Sequence, residues 1–270
     1  MRNRSYNKVK LSVVIITLNE ERNIERCLRS VQPVADEIVV LDSGSSDNTR
    51  FICEKYHVKY YVQRFIRYDW QKNSAVHMAT FDHILSLDAD EALTAKLTES
   101  IAQVKNNWQH NGYYFNRITC FCGKWIRHGG WYPNRVTRLF NRRKASWSGR
   151  VHERLKFNGF RDAGYLKGDL LHYSFYSLSH YHQKIERYTD IAAKDLFEKR
   201  NIRPGVYHFY VKPLYRFCYS FFIRGGFLDG YTGFHIARLT AAKLFLKFTK
   251  LKAMQQESSY VAGEQSFVHD

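Results

Sequence analysis

His83-Ile-Leu-Ser-Leu-Asp-Ala-Asp-Glu91 is a short apolar run that stops abruptly at three acids. A run of this length reads as a strand buried on both faces. Asp88, Asp90 and Glu91 then fall at its carboxyl end, the edge where open α/β sheets bind ligands. If the strand ends there, Asp88 and Asp90 can share a hard divalent cation, Mg²⁺ or Mn²⁺, directly or through water. The same residues also suit a polar strand end leading into a helix from about Thr94, whose dipole favours Asp90 and Glu91 near its start. Asp-x-Asp does not choose between these readings, so the rest of the chain must.

Upstream, Leu11-Ser-Val-Val-Ile-Ile-Thr17 is β-branched and almost continuously apolar, as expected of a central parallel strand. It runs into Leu18-Asn-Glu-Glu21, and a helix follows with Ile24, Cys27, Leu28 and Val31 on one face. Glu37 to Leu41 reads as a second strand, closed by Asp42-Ser-Gly-Ser-Ser-Asp-Asn-Thr49. There Gly44 makes the turn, and Ser46 or Asp47 is expected to cap a helix carrying Phe51, Ile52 and Tyr56. Val58–Val62 is a third strand, Trp70–Ala79 a helix, and His83–Asp88 the fourth strand. This βα repetition predicts a doubly wound, mostly parallel sheet flanked by helices. In such a sheet Thr17, Asn19 and Glu20, Asp42, and Asp88 with Asp90 end on one edge and can face one ligand. No Gly-x-Gly-x-x-Gly follows the first strand and no Gly-Lys-Ser/Thr loop occurs, which argues against dinucleotide and P-loop sites. Phosphates are then handled by a metal on the acids with basic help such as Lys72.

Composition sets the outer bounds. With 270 residues, 44% hydrophobic and 16% aromatic, the chain can build a large core. Five cysteines without zinc spacing read as reduced thiols in a cytosolic protein. No secretion signal is expected, nor any apolar run of the roughly 18 residues that a membrane span needs. The formal charge of +17 is uneven: residues 1–100 carry 14 Lys+Arg and 14 Asp+Glu, the remainder 28 and 11. An anionic partner for the later part follows, either nucleic acid or an acidic membrane surface.

Taken together, Ser12-Val-Val-Ile-Ile-Thr-Leu-Asn-Glu-Glu21, Asp42-Ser-Gly-Ser-Ser-Asp-Asn-Thr49, Gln71-Lys-Asn73 and Leu87-Asp-Ala-Asp-Glu91 resemble a family 2 glycosyltransferase with the GT-A fold. The resemblance covers about the first 100 residues. It implies that Thr17, Asn19, Glu20 and Asp42 bind the nucleotide, Asp88 its ribose or the metal region, and Asp90 the divalent ion on the diphosphate.

In the next region Tyr113–Thr119, Arg135–Phe140 and Leu166–His172 can add mixed strands beside the sheet. Trp147-Ser-Gly-Arg-Val-His-Glu-Arg154 holds a His-Glu pair that on its own would be read as salt bridges to Arg150 and Arg154. An inverting transfer, however, needs a base for the acceptor hydroxyl. Through Arg138-Leu-Phe140, Gly149 and Val151-His-Glu153 the chain is similar to the bacterial subgroup that builds lipopolysaccharide inner core, with its β-1,4-glucosyltransferase-like members. Glu153 is the expected base. His152 either orients it, contacts phosphate or is simply packed. The Glu-Asp acceptor motif of many family 2 enzymes is not evident. His172 stands where several GT-A enzymes return a histidine to the metal, and a structural histidine fits equally well.

From Ser179 the pattern is helical: Tyr181, Ile185, Tyr188 and Ile191, then an aromatic helix Tyr207–Ile223 after Pro204-Gly205. A third helix carries Ala237, Ala241, Leu244, Phe248 and Leu251 on one side and Lys243, Lys247 and Lys250 on the other. Residues 200–252 hold ten Lys+Arg and one acid, which suits an anionic membrane interface; a helix packed on the catalytic domain with solvated lysines is the alternative.

The expected organisation is a catalytic domain over 1–178, with a donor half 1–100 and an acceptor half 101–178, then a helical basic extension 179–252 and a flexible tail 253–270. The expected activity is metal-dependent, inverting transfer of a hexose from a nucleotide sugar, with a UDP-sugar as the expected donor, to a glycan or glycolipid such as lipopolysaccharide core. The protein is expected to be cytoplasmic and peripheral at the inner membrane face, with no nucleic-acid partner and an open oligomeric state. The competing readings are a sugar-phosphate nucleotidyltransferase, which would need an early Gly-rich basic triphosphate loop, and a non-enzymatic nucleic-acid-binding protein.

Overall fold

In the computed structural model, which describes residues 8–149, 153–199 and 202–267, the first strand β1 (Leu11–Thr17) is buried on both faces. Its continuous apolarity hides a period of two. Leu11, Val13 and Ile15 enter one core with Ile24, Cys27, Leu28 and Val31 of α1 (Ile24–Val31) and Leu97 and Ile101 of α4 (Ala95–Asn106). Val14 enters another, with Ala75 of α3 (Tyr68–Met78) and Trp147 of β9 (Ala145–Ser148). Helices cover both faces because both faces are apolar, and each fully buried aliphatic side chain contributes roughly 1.5–3 kcal/mol.

The sheet runs β3 (Lys59–Val62), β2 (Glu37–Asp42), β1, β4 (His83–Asp88), β8 (Asn134–Asn141), β6 (Gly112–Phe121), β11 (Ala163–Phe175), β5 (Glu91–Leu93), with β7 (Lys124–Ile126) beside β6. β2, β3 and β4 pair in parallel with their neighbours around β1. Beyond β4 the pairing turns antiparallel: β8 pairs with β4 and with β6, and β5 with β11. β6, β8 and β11 are the strands expected from their alternation, whereas β5 and β7 were not expected. β9 and β10 (Arg154–Phe157) form a separate antiparallel pair.

Of the two capping candidates Asp47 serves α2 (Thr49–Lys55), its Oδ1 accepting from the Thr49 N–H at 3.0 Å, while the Ser46 N–H and hydroxyl turn to Asn19. Phe51 is exposed rather than packed, lying under Lys55, while Ile52 and Tyr56 do reach the core.

The chain divides into two compact units, one of residues 1–119 and 133–174, the other of 120–132 and 175–270. The second unit thus takes in the β7 segment as well as the residues after 174. It contains α5 (Leu178–Lys199) and a helical run made of α6 (Lys212–Cys218) between the π-helical turns Tyr207–Val211 and Tyr219–Ile223. After a 3₁₀ turn (Gly226–Asp229) comes α7 (Gly230–Phe267). Helix therefore continues past residue 253, where a tail was expected. The apolar stripe of α7 packs within this unit: Ile236 and Leu239 against Tyr181 and Ile185, Phe248 and Leu251 against Ala193. Its lysines are not a solvated ladder. Lys250 pairs with Glu186 and Asp190 at 2.6 Å each, Lys243 lies over Tyr188 and Lys247 over Phe248. Burial lowers the pKa of both Lys243 and Lys247. Among the described residues no helix is long and apolar enough to cross a membrane.

Candidate active site

The parallel register carries Thr17 beside Asp42 and Ile16 beside Asp88, so the ends of β1, β2 and β4 meet on one edge. Thr17 is buried and its Oγ1 has no hydrogen-bond partner, a cost of about 1–3 kcal/mol unless a ligand or water meets it. The loops after β1 and β2 are stitched together. Asn19 takes a left-handed backbone (φ 54°), donates its N–H to Ser45 Oγ at 2.8 Å and accepts from the Ser46 N–H at 2.8 Å. The Glu20 N–H donates to Thr49 Oγ1 at 2.9 Å, and its carboxylate accepts from Asn23 at 2.6 Å. Asp42 is buried. Its Oδ1 accepts from the Gly44 and Ser45 N–H groups and the Ser45 hydroxyl, and Tyr60 donates to Oδ2, so this carboxylate shapes the loop around itself.

At the end of β4 the three acids have three different fates. Asp88 accepts from Arg138 Nη2 at 2.8 Å and faces Lys72 Nζ at 3.0 Å. Burial works against its ionisation, but Arg138 and Lys72 outweigh it and hold the carboxyl well below the usual range. Glu91 is fully buried on β5 between Arg138 (2.9 Å) and Arg117 (3.1 Å), and accepts from the Asp88 N–H. It is a structural counter-ion and not a cleft residue, contrary to the reading of all three acids as one edge cluster. Asp90 points elsewhere: its Oδ2 is 3.3 Å from His172 Nε2 on β11, whose Nδ1 lies 3.4 Å from Thr119 Oγ1.

Helix α3 connects the two halves of the unit through consecutive residues. Asn73 exchanges two bonds with the Trp147 backbone of β9, at 2.8 and 2.9 Å. Lys72, almost wholly buried, donates to Glu153 Oε1 at 2.9 Å and lies 4.7 Å from the Trp147 ring. Glu153 is thereby brought beside Asp88, with Lys72, 81 residues away from Glu153 in sequence, between them. His152 and Arg150 lie outside the described residues. Lys72, expected to handle phosphate, has its ammonium committed to two carboxylates.

Sequence reasoning gave no role to Arg138, Arg117 or Tyr60. Arg138 had a signal: it is a charged residue flanked by Leu139 and Phe140 on a strand, which demands a buried partner. Tyr60 had none, since its bond to Asp42 exists only through the β2–β3 register.

For a divalent cation, Asp90 and His172 offer one oxygen and one nitrogen at a separation compatible with neighbouring ligands. No group of three or more His, Cys, Asp or Glu side chains able to hold a metal occurs among the described residues. Such a pair fits a cation that also takes oxygens from substrate phosphate and water, as Mg²⁺ does, rather than a protein-only cage.

A parallel βα half, an antiparallel continuation and acids at the junction make up a GT-A fold. The chain belongs to glycosyltransferase family 2, whose model, Glycosyl transferase family 2, matches residues 12–168. A Rickettsia bellii protein described as an uncharacterized glycosyltransferase is 32% identical over 256 residues, 91% of this chain and 87% of that one. LpsC of Rhizobium meliloti, a lipopolysaccharide core biosynthesis glycosyltransferase, is 29% identical over 254 residues, 88% of this chain and 93% of LpsC. Among solved structures, Staphylococcus aureus TarS 1-349 aligns over 92% of both chains at TM-score 0.44 and 14% identity. Glucosyl-3-phosphoglycerate synthase from Mycobacterium tuberculosis, in complex with Mn²⁺, UDP and glucosyl-3-phosphoglycerate, aligns over 42% of this chain and 44% of that one at TM-score 0.35 and 19% identity.

Proposed function

We propose that this glycosyltransferase moves a hexose, with inversion, from a nucleotide diphosphate sugar, a UDP-sugar being the expected donor, to a hydroxyl of a glycan or glycolipid acceptor of the lipopolysaccharide-core kind. The observation that carries the reading is the meeting of Glu153 with Asp88 across Lys72, which joins a carboxylate of the acceptor half to the strand ends of the donor half. Similarity to LpsC along most of both chains supports the acceptor class.

Thr17, Asn19, Glu20 and Asp42 form the nucleoside side, where the unpartnered Thr17 hydroxyl awaits a polar contact. Asp88 stands beside the ribose. Asp90 and His172 would hold the divalent cation, Mg²⁺ or Mn²⁺, which when bound offsets charge on the departing diphosphate. Glu153 takes the acceptor hydroxyl's proton as the new C–O bond forms on the sugar's anomeric carbon, and the bond to the diphosphate breaks with its electron pair. Lys72 fixes the position of Glu153. Reaction on the face opposite the leaving group accounts for inversion.

A panel of nucleotide sugars tested for thermal stabilisation with and without Mn²⁺ identifies the donor. Asp90→Ala is expected to remove the Mn²⁺-dependent part of that stabilisation. Donor binding that is unaffected by the substitution in the presence of Mn²⁺ would refute the cation role.

A further inference from the structure

The helical run 207–223 is rich in aromatic and aliphatic residues, interrupted at every fourth position by His208, Lys212, Arg216 and Ser220, and only part of its apolar surface is covered. Phe209 packs with Phe248 and Leu251, Pro213 and Ser220 are buried, and Ser220 donates to the Gly129 carbonyl at 2.9 Å. The opposite side presents Tyr210, Val211, Leu214, Tyr215, Phe222 and Ile223, each between 51% and 73% exposed. Their spacing repeats every three to four residues through the first four and resumes two turns further on, so they form a stripe along one side of the helix. Phe227 and Leu228, in the following 3₁₀ turn, are likewise exposed. A contiguous apolar surface of this extent marks an interaction site.

Its charge setting names the occupant. Residues 202–252 contain one acid, Asp229, and this one is buried, accepting from the Arg127 and His128 N–H groups at 3.2 and 2.9 Å. Arg216 within the run, Arg224 directly after it and Arg203 four residues before it are exposed. An exposed aromatic and aliphatic face, on a segment that carries exposed arginines and no exposed acid of its own, matches the interface of an anionic bilayer, where rings sit at headgroup depth and arginines meet lipid phosphate. We propose that this face, and not the lysine side of α7, seats the protein on an anionic membrane surface without crossing it. The α7 lysines are already engaged with Glu186, Asp190 and aromatic rings. The inference is independent of the transfer reaction.

The test is co-sedimentation of the full-length protein with vesicles of phosphatidylcholine alone or mixed with phosphatidylglycerol. Binding is expected to the mixed vesicles and to be much weaker on neutral ones. Leu214→Glu combined with Ile223→Glu is expected to weaken binding at least about tenfold, whereas Lys243→Gln with Lys247→Gln leaves it unchanged. Tyr215→Trp provides a readout that does not rely on a disruptive variant, because the emission of the introduced indole should shift to the blue when mixed vesicles are added. Failure to bind, equal binding to neutral vesicles, full binding by the double glutamate variant, or an unshifted emission from the Tyr215→Trp variant overturns the proposal. So does a solution dimer that the glutamates dissociate while vesicle binding persists, since the face would then take a second copy of the chain.

Discussion

At the residue scale, neighbouring acids acquire different chemistry from their partners. Asp88 and Glu91 share Arg138, so their charges are neutralised inside the protein, while Asp90, between them in sequence, turns to His172. Removing one partner from a buried set of this kind leaves an uncompensated charge, which makes Arg138 a structural necessity of the site. Glu153 differs, because its ion pair is with Lys72 and its role in the proposed reaction is proton uptake. Glu153→Gln keeps the side chain's shape and is expected to lower transfer by about 10²–10⁴-fold with donor affinity unchanged. Steady-state product formation beside donor titration calorimetry checks this, and a fully active variant would remove Glu153 from the mechanism.

At the element scale, β-strand ends are held by polar clamps that apolar patterning does not reveal. Glu37, at the start of β2, accepts from Ser12 on β1 (2.6 Å), Lys59 on β3 (2.5 Å) and Thr80 (2.5 and 2.8 Å). Burial raises its pKa, but these four donations outweigh it and bring the value from 4.5 to about 2. A depressed carboxyl pKa stabilises the fold above the unfolded value and loses that contribution as pH falls through the folded one. Glu37→Gln is therefore expected to cost about 2 kcal/mol at neutral pH. That deficit should shrink between about pH 4 and pH 2, as urea melts across that window would show. On β11, Gly168 has φ 107°, and a Cβ there would collide with the backbone of Leu97 in α4. Gly168→Ala should cost more than about 2 kcal/mol and lower Tm by several degrees, read by calorimetry.

At the scale of the whole molecule, the C-terminal helices are not an appendage that can be cut away. Phe121, Ile126, Tyr181 and Ile185 share a core with Ile236 and Leu239, and Ala193 with Phe248 and Leu251. A chain ending at Pro204 uncovers both clusters. It is expected to bind 1-anilinonaphthalene-8-sulfonate and to aggregate on gel filtration, rather than to remain a well-folded enzyme. A monodisperse, dye-silent truncation would show that these clusters are dispensable.

The parallel half of the fold was legible in the sequence because runs such as Leu11–Thr17 and His83–Asp88 can be satisfied only by burial on both faces, and the helices between them leave one topology. Thr17, Asp42 and Asp88 could likewise be placed on one edge, since parallel strands end together. The extra strands could be read from their alternation, but not their order beside β4, which depends on long-range pairing. The tertiary structure alone decided which charged groups each acid faces: Arg138 and Lys72 for Asp88, Arg138 and Arg117 for Glu91, His172 for Asp90. Arg138, Lys72 and His172 reach the end of β4 from distant elements, and a carboxylate's role follows from the charges that surround it rather than from its position in a motif.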